Sequence, residues 1–116
     1  MQIIRGDDYQ SWVYANRDDL VVVDPWLTKK QVFPKLSWLL YRSSTQAAYL
    51  TKYNLLERVT HIIITAHFSD HLDIDSLYLF NKDIPIYTNH EASKILIKNG
   101  FTKITIIKIY QCKVLI

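Results

Sequence analysis

With 116 residues, 49% of them apolar, the chain suits one small domain that buries about two thirds of its unfolded surface. Its single cysteine, Cys112, excludes an internal disulfide and favours a reducing, cytoplasmic setting, while two glycines, Gly6 and Gly100, leave no phosphate-cradling loop. The net charge of +3 gathers after residue 80, where six lysines meet two acidic residues. No arginine or aromatic run accompanies these lysines, so they read as a solvated face and no nucleic-acid partner is expected.

The opening Met1-Gln2-Ile3-Ile4-Arg5 has neither the basic nor the long apolar segment of a signal peptide. No later stretch approaches the ~20 apolar residues that span a bilayer, so no membrane partner is expected either. Residues 2–5 read as a short strand, with a turn at Gly6-Asp7-Asp8. Residues 11–15 alternate around Trp12 and Tyr14, as a half-buried strand does. The polar Asn16-Arg17-Asp18-Asp19 turn leads into Leu20-Val21-Val22-Val23, a β-branched run closed by Asp24-Pro25, and the spacing predicts a hairpin over 11–23. From 33 to 59 the apolar spacing, including Trp38, Leu39, Tyr41, Leu50, Tyr53 and Leu56, lengthens towards helical period and predicts one or two helices broken near Ser43-Ser44. A buried strand follows at 61–65. Asp73 or Asp75 is placed to cap a short helix reaching Phe80. A strand over 84–88 begins at the tolerated Pro85, a helix over 91–98 stops at Asn99-Gly100, and strands are expected over 104–109 and 112–116. Strands alternating with helices after residue 60 mark an α/β protein. The chain closes on the apolar Val114-Leu115-Ile116, which is expected to be either docked in a sheet or the end of a cut domain.

The chemistry-bearing residues concentrate in Thr65-Ala66-His67-Phe68-Ser69-Asp70-His71 and Asp73. Imidazole nitrogen and carboxylate oxygen are the donors that zinc, manganese or iron take, and His67 and His71 fall on one face if the turn winds helically. Two donors on one turn are a partial site. The plain structural alternative is that Asp70 accepts backbone N–H bonds at a strand-to-helix junction and that His71 is a hydrogen-bonded, half-buried histidine. His61 and His90 read as surface or capping residues. Asp24, at the end of a buried strand, either orients a metal ligand from behind or accepts turn hydrogen bonds. Trp12, Trp26 and Trp38 either line a groove or fill the core. Ser69 lacks the strained, glycine-flanked elbow of a nucleophile, and the sequence around Ser11 and Cys112 offers no recognisable catalytic pattern.

The order of these segments resembles the N-terminal half of the metallo-β-lactamase superfamily of hydrolases. The strand around Ser11-Trp12-Val13, the run 20–23 with Asp24-Pro25-Trp26-Leu27, the strand 62–65 with Asp70-His71, Ile84-Pro85-Ile86-Tyr87 and Asn99-Gly100-Phe101 all take part. That resemblance implies half of a four-layer αββα sandwich, a mixed sheet with flanking helices. It also implies a His-x-His-x-Asp-His turn binding one or two divalent metals that activate water. Asp70 and His71 match the final Asp-His, so Asp70 is the implied catalytic carboxylate and both are implied ligands. The earlier histidine positions fall on Ala66 and Phe68, which carry no donor, leaving His67 and Asp73 as substitutes. Thr65 matches the small hydroxyl residue before the motif, and Asp24 the acidic residue that supports the site. The remaining ligands of the superfamily come from a half this chain lacks. The expectation is therefore a truncated or degenerate hydrolase-like protein, weak or inactive alone, with zinc as the first-choice metal. Its partner would be a second copy or another chain that completes the sandwich. The alternative is a non-catalytic binding module using an aromatic surface.

Overall fold

The computed structural model describes residues 1–6, 11–27, 30–32, 41–43 and 49–108. In chain order the elements are β1 (Gln2–Arg5), β2 (Trp12–Ala15), β3 (Leu20–Val23), β4 (Lys30–Val32), β5 (Tyr41–Ser43), α1 (Tyr49–Lys52), a 3-10 turn (Leu56–Arg58), β6 (His61–Ile64), α2 (Ile74–Leu77), β7 (Ile86–Thr88), α3 (His90–Lys98) and β8 (Ile104–Ile106).

Six strands form one mixed sheet in the order β1-β2-β3-β6-β7-β8. The first two pairings are antiparallel, the second of them as the short Asn16–Asp19 connection requires, and the rest are parallel. The turn between β2 and β3 is held by Asn16, whose side-chain oxygen accepts the backbone N–H groups of Asp18 and Asp19 at 3.0 and 2.8 Å. Register places Ile4, Val13, Val22, Ile62, Ile86 and Ile104 in one row across the sheet. Directly paired residues share a face, so this row is one face of the sheet. Val13, Val22, Ile62 and Ile86 are fully buried there beneath Leu50, Leu77, Ala92, Leu96 and Phe101. The described helices that contribute to the core pack on this face. α3 does so through Ala92, Ser93 and Leu96, a stripe at helical spacing.

Local signals set the helix ends. Asp73 is the N-cap of α2 and accepts from the Ser76 backbone N–H at 3.2 Å and from its hydroxyl. Asn89 caps α3 by accepting from Ala92 N–H at 2.8 Å. After Lys98 the chain leaves the helix through Asn99 and then Gly100, whose φ of 91° is the left-handed conformation a helix exit requires.

The α/β class and the strands at the two ends of the hairpin match the sequence reading. The helical expectation over 33–59 does not hold as stated. Tyr41–Ser43 is a strand paired antiparallel with Lys30–Val32, and among the described residues of this range helical structure is confined to Tyr49–Lys52 and the 3-10 turn Leu56–Arg58. Apolar residues spaced at three and four suit a helix, but cross-strand pairing with a segment ten residues earlier overrides that preference. The strand expected to run to 109 ends at Ile106. Trp38 and the expected strand over 112–116, with Cys112, lie outside the described residues.

Candidate functional site

β3, β6, β7 and β8 run parallel, so their carboxyl ends lie along one edge of the sheet, where open α/β sheets carry their ligand sites. Asp24 follows β3 there, Thr65 to His71 follow β6, and Asn89 follows β7. Side chains bind these ends together. Asp24 is buried, with a φ of 47°, and its backbone N–H donates to Ile63 O at 2.8 Å. A non-glycine residue with left-handed φ directly before a proline is unusual and persists only where its surroundings fix it.

The Asp24 carboxylate supplies that fixation. One oxygen accepts the Thr65 backbone N–H at 2.8 Å; the other accepts the Thr65 hydroxyl at 2.5 Å and lies 2.8 Å from His71 Nδ1. An ionised carboxylate only accepts, so Nδ1 carries the imidazole proton and donates it to Asp24. In the neutral ring this leaves the Nε2 lone pair free on the far side, the arrangement a metal-ligating or proton-accepting histidine uses. Nε2 lies 3.6 Å from an Asp70 carboxylate oxygen, too far for a direct hydrogen bond. His71 N and Leu72 N both donate to Phe68 O at 2.9 Å, and buried Leu72 anchors this turn to the core. Asn89 adds a link from the next strand, its amide donating to Thr65 O at 3.3 Å.

The structure thus brings together four residues singled out from sequence: Asp24, Thr65, Asp70 and His71. Asp73 stands apart in function, its carboxylate committed to Ser76 at the start of α2, and Ser76 Oγ in turn accepts Leu27 N–H at 2.7 Å. His67 is exposed, with its ring against exposed Phe68 at 4.3 Å between centroids. His61 lies at the opposite end of β6 from His71, bonded to Thr60 Oγ1 at 2.9 Å. His90 is the exposed first residue of α3. Trp26 is buried and Trp12 is 42% exposed. The bond from Asn89 to Thr65 is long-range and leaves no local signature in the sequence. A cavity of about 600 Å³ opens at the amino ends of β6, β7 and β8, beside Thr60, Pro85 and Lys103, and none of the candidate residues lines it.

The donor set does not fit a metal ion on its own. Among the described residues no group of three or more His, Cys, Asp or Glu side chains is placed to hold one. All four histidines of the chain are described, and only His71 sits with a carboxylate at this edge. Ala66 and Phe68 contribute nothing to coordination.

No protein-family model and no curated protein matches this chain. Among solved structures, it superposes on a possible metal-dependent hydrolase from Veillonella parvula DSM 2008 with a TM-score of 0.71 at 21% identity, over 92% of this chain and 42% of that one. It likewise superposes on an isothiocyanate hydrolase from Delia radicum gut bacteria, with a TM-score of 0.70 at 21% identity and the same two coverages. The chain therefore spans less than half the length of either.

Proposed function

From the fold, half of a metallo-β-lactamase-like sandwich, we propose that this chain is a hydrolase-like protein retaining the orienting framework of a metal ligand without a metal centre. The observation that carries this reading is the Asp24–Thr65–His71 network. A buried carboxylate fixes the tautomer and direction of one imidazole, yet only Asp70 joins that imidazole as a donor. Alone, the chain is inactive or only weakly active. Hydrolysis of an ester, lactone or phosphoester requires donors that its described residues do not supply. Zinc is the first-choice ion for a completed site of nitrogen and oxygen donors, with manganese or iron next.

The test is elemental analysis of the purified chain after dialysis against trace zinc and manganese, alongside His71→Ala. The expected result is no retained metal in either protein. One metal per chain, lost in His71→Ala and kept in Cys112→Ser, overturns the proposal and makes hydrolase assays the next step. Among the described tryptophans, a reading as an aromatic binding module has support only at Trp12, since Trp26 is buried.

A further inference from the structure

The His71 ring is built for a reaction that needs no coordination. The buried Asp24 carboxylate holds its Nδ1 proton at 2.8 Å, and Asp24 is itself fixed by the Thr65 N–H and O–H. The imidazole is therefore locked in direction and tautomer, yet 27% of it stays open to solvent. The other three histidines lack this combination. His67 and His90 are more exposed, with no carboxylate placed on a ring nitrogen among the described residues. His61 Nδ1 meets a neutral hydroxyl, Thr60 Oγ1, at 2.9 Å, and Asp19 lies 3.9 Å away. A carboxylate on Nδ1–H adds electron density at Nε2. It also offsets the positive charge that the ring gains when Nε2 bonds to an electrophilic carbon. Histidine acts as a covalent nucleophile in this way.

We propose that His71 Nε2 is an acyl-acceptor site for neutral, activated acyl donors, namely anhydrides and aryl esters. The site rests on the Asp24–Thr65–His71 network and is independent of metal retention. The Nε2 lone pair forms a bond to the acyl carbon, and the bond from that carbon to the leaving oxygen breaks. Its electron pair departs on the phenolate or carboxylate. The acyl-imidazolium left behind is paired with Asp24, and loss of the Nδ1 proton to water gives the neutral N-acyl-imidazole. An alkyl ester would expel imidazole from the tetrahedral adduct before its own alkoxide, so the reaction is confined to good leaving groups. Hydrolysis of ordinary esters and lactones is a separate chemistry. Asp70 narrows the donor further. Its carboxylate oxygen, 3.6 Å from Nε2, sets negative charge beside the attacking atom and disfavours anionic donors such as acyl phosphates.

The test is acylation of the full chain in EDTA by limiting diethyl pyrocarbonate, followed at each histidine by peptide mass spectrometry after an acid quench. If accessibility alone governed the rate, His67 and His90 would react before His71. The expected order is the reverse, with His71 about tenfold faster than any other histidine. Asp24→Asn keeps an acceptor but removes the charge. It is expected to slow His71 about tenfold while His67, in the same molecule, keeps its rate. Phenolate release from p-nitrophenyl acetate is expected to lose its fast phase in His71→Ala. A wild-type His71 no faster than His67 overturns the proposal, and that comparison decides even where a variant fails to fold. A His71 rate untouched by Asp24→Asn, in a protein with wild-type circular dichroism, overturns it too, as does a fast phase kept in His71→Ala. Because EDTA removes metal, slow acylation leaves the proposed function standing, and metal retained in the elemental analysis overturns that function separately.

Discussion

Asp24 is where the structure can be tested most sharply, because one side chain closes the edge between β3 and β6 while its own backbone is left-handed. Its carboxylate accepts Thr65 N–H, Thr65 O–H and His71 Nδ1–H, at 2.8, 2.5 and 2.8 Å. Hydrogen bonds to a charged group contribute about 1.5–3 kcal/mol each when buried, and the sum is discounted here because Thr65 is exposed and His71 partly so. Asp24→Ala should therefore destabilise by about 3 kcal/mol, a large fraction of a typical folding free energy. Asp24→Asn keeps an acceptor for Thr65 N–H and suits a positive φ, so a loss of about 1–2 kcal/mol is expected. Asp24→Gly loses every side-chain bond but relieves the left-handed strain. After the greater freedom of unfolded glycine is subtracted, it should lie about 0.5–1 kcal/mol above Asp24→Ala. The assay is urea unfolding at one fixed chain concentration, comparing midpoints at constant slope. The order of stability should run wild type, Asn, Gly, Ala. An alanine variant within about 1 kcal/mol of wild type would refute the role given to the carboxylate, and glycine falling below alanine would refute the strain.

Two further substitutions separate local from long-range contributions, read by the same urea titration. Asp73→Ala removes the N-cap of α2 and should cost about 1 kcal/mol, whereas exposed Asp75→Ala should change stability by less than about 0.5 kcal/mol; equal effects would mean that Asp73 does not act as a cap. Gly100→Ala places a Cβ in open space at a φ of 91°, so its cost of about 1 kcal/mol is conformational. Gly100→Asn should recover part of it, and an alanine variant as stable as wild type would remove the helix-exit argument.

These comparisons also mark what the sequence carried. The β2–β3 hairpin, an aspartate cap at Asp73 or Asp75 and the Asn99-Gly100 exit were legible because each is decided within a few residues. Alternation, a side-chain bond from residue i to i+3 and a positive φ at glycine are all local. Lys30–Val32 and Tyr41–Ser43 were not legible: three residues hold too little of a period, and their stability lies in pairing with each other. The site behaved in the same way. Asp24 reaches Thr65 across 41 positions and His71 across 47, so no spacing rule finds the network, and only the resemblance in segment order placed Asp24 beside that turn.

The apolar runs in β3 and β6 carried more than an assignment to strands. Unbroken valine and isoleucine imply burial on both faces, and among the described residues the helices cover one of them. The edge site has the matching shortfall, one oriented imidazole with one carboxylate where a metal centre needs three or more donors. A face and a site that both lack a counterpart are the two signatures of half a sandwich.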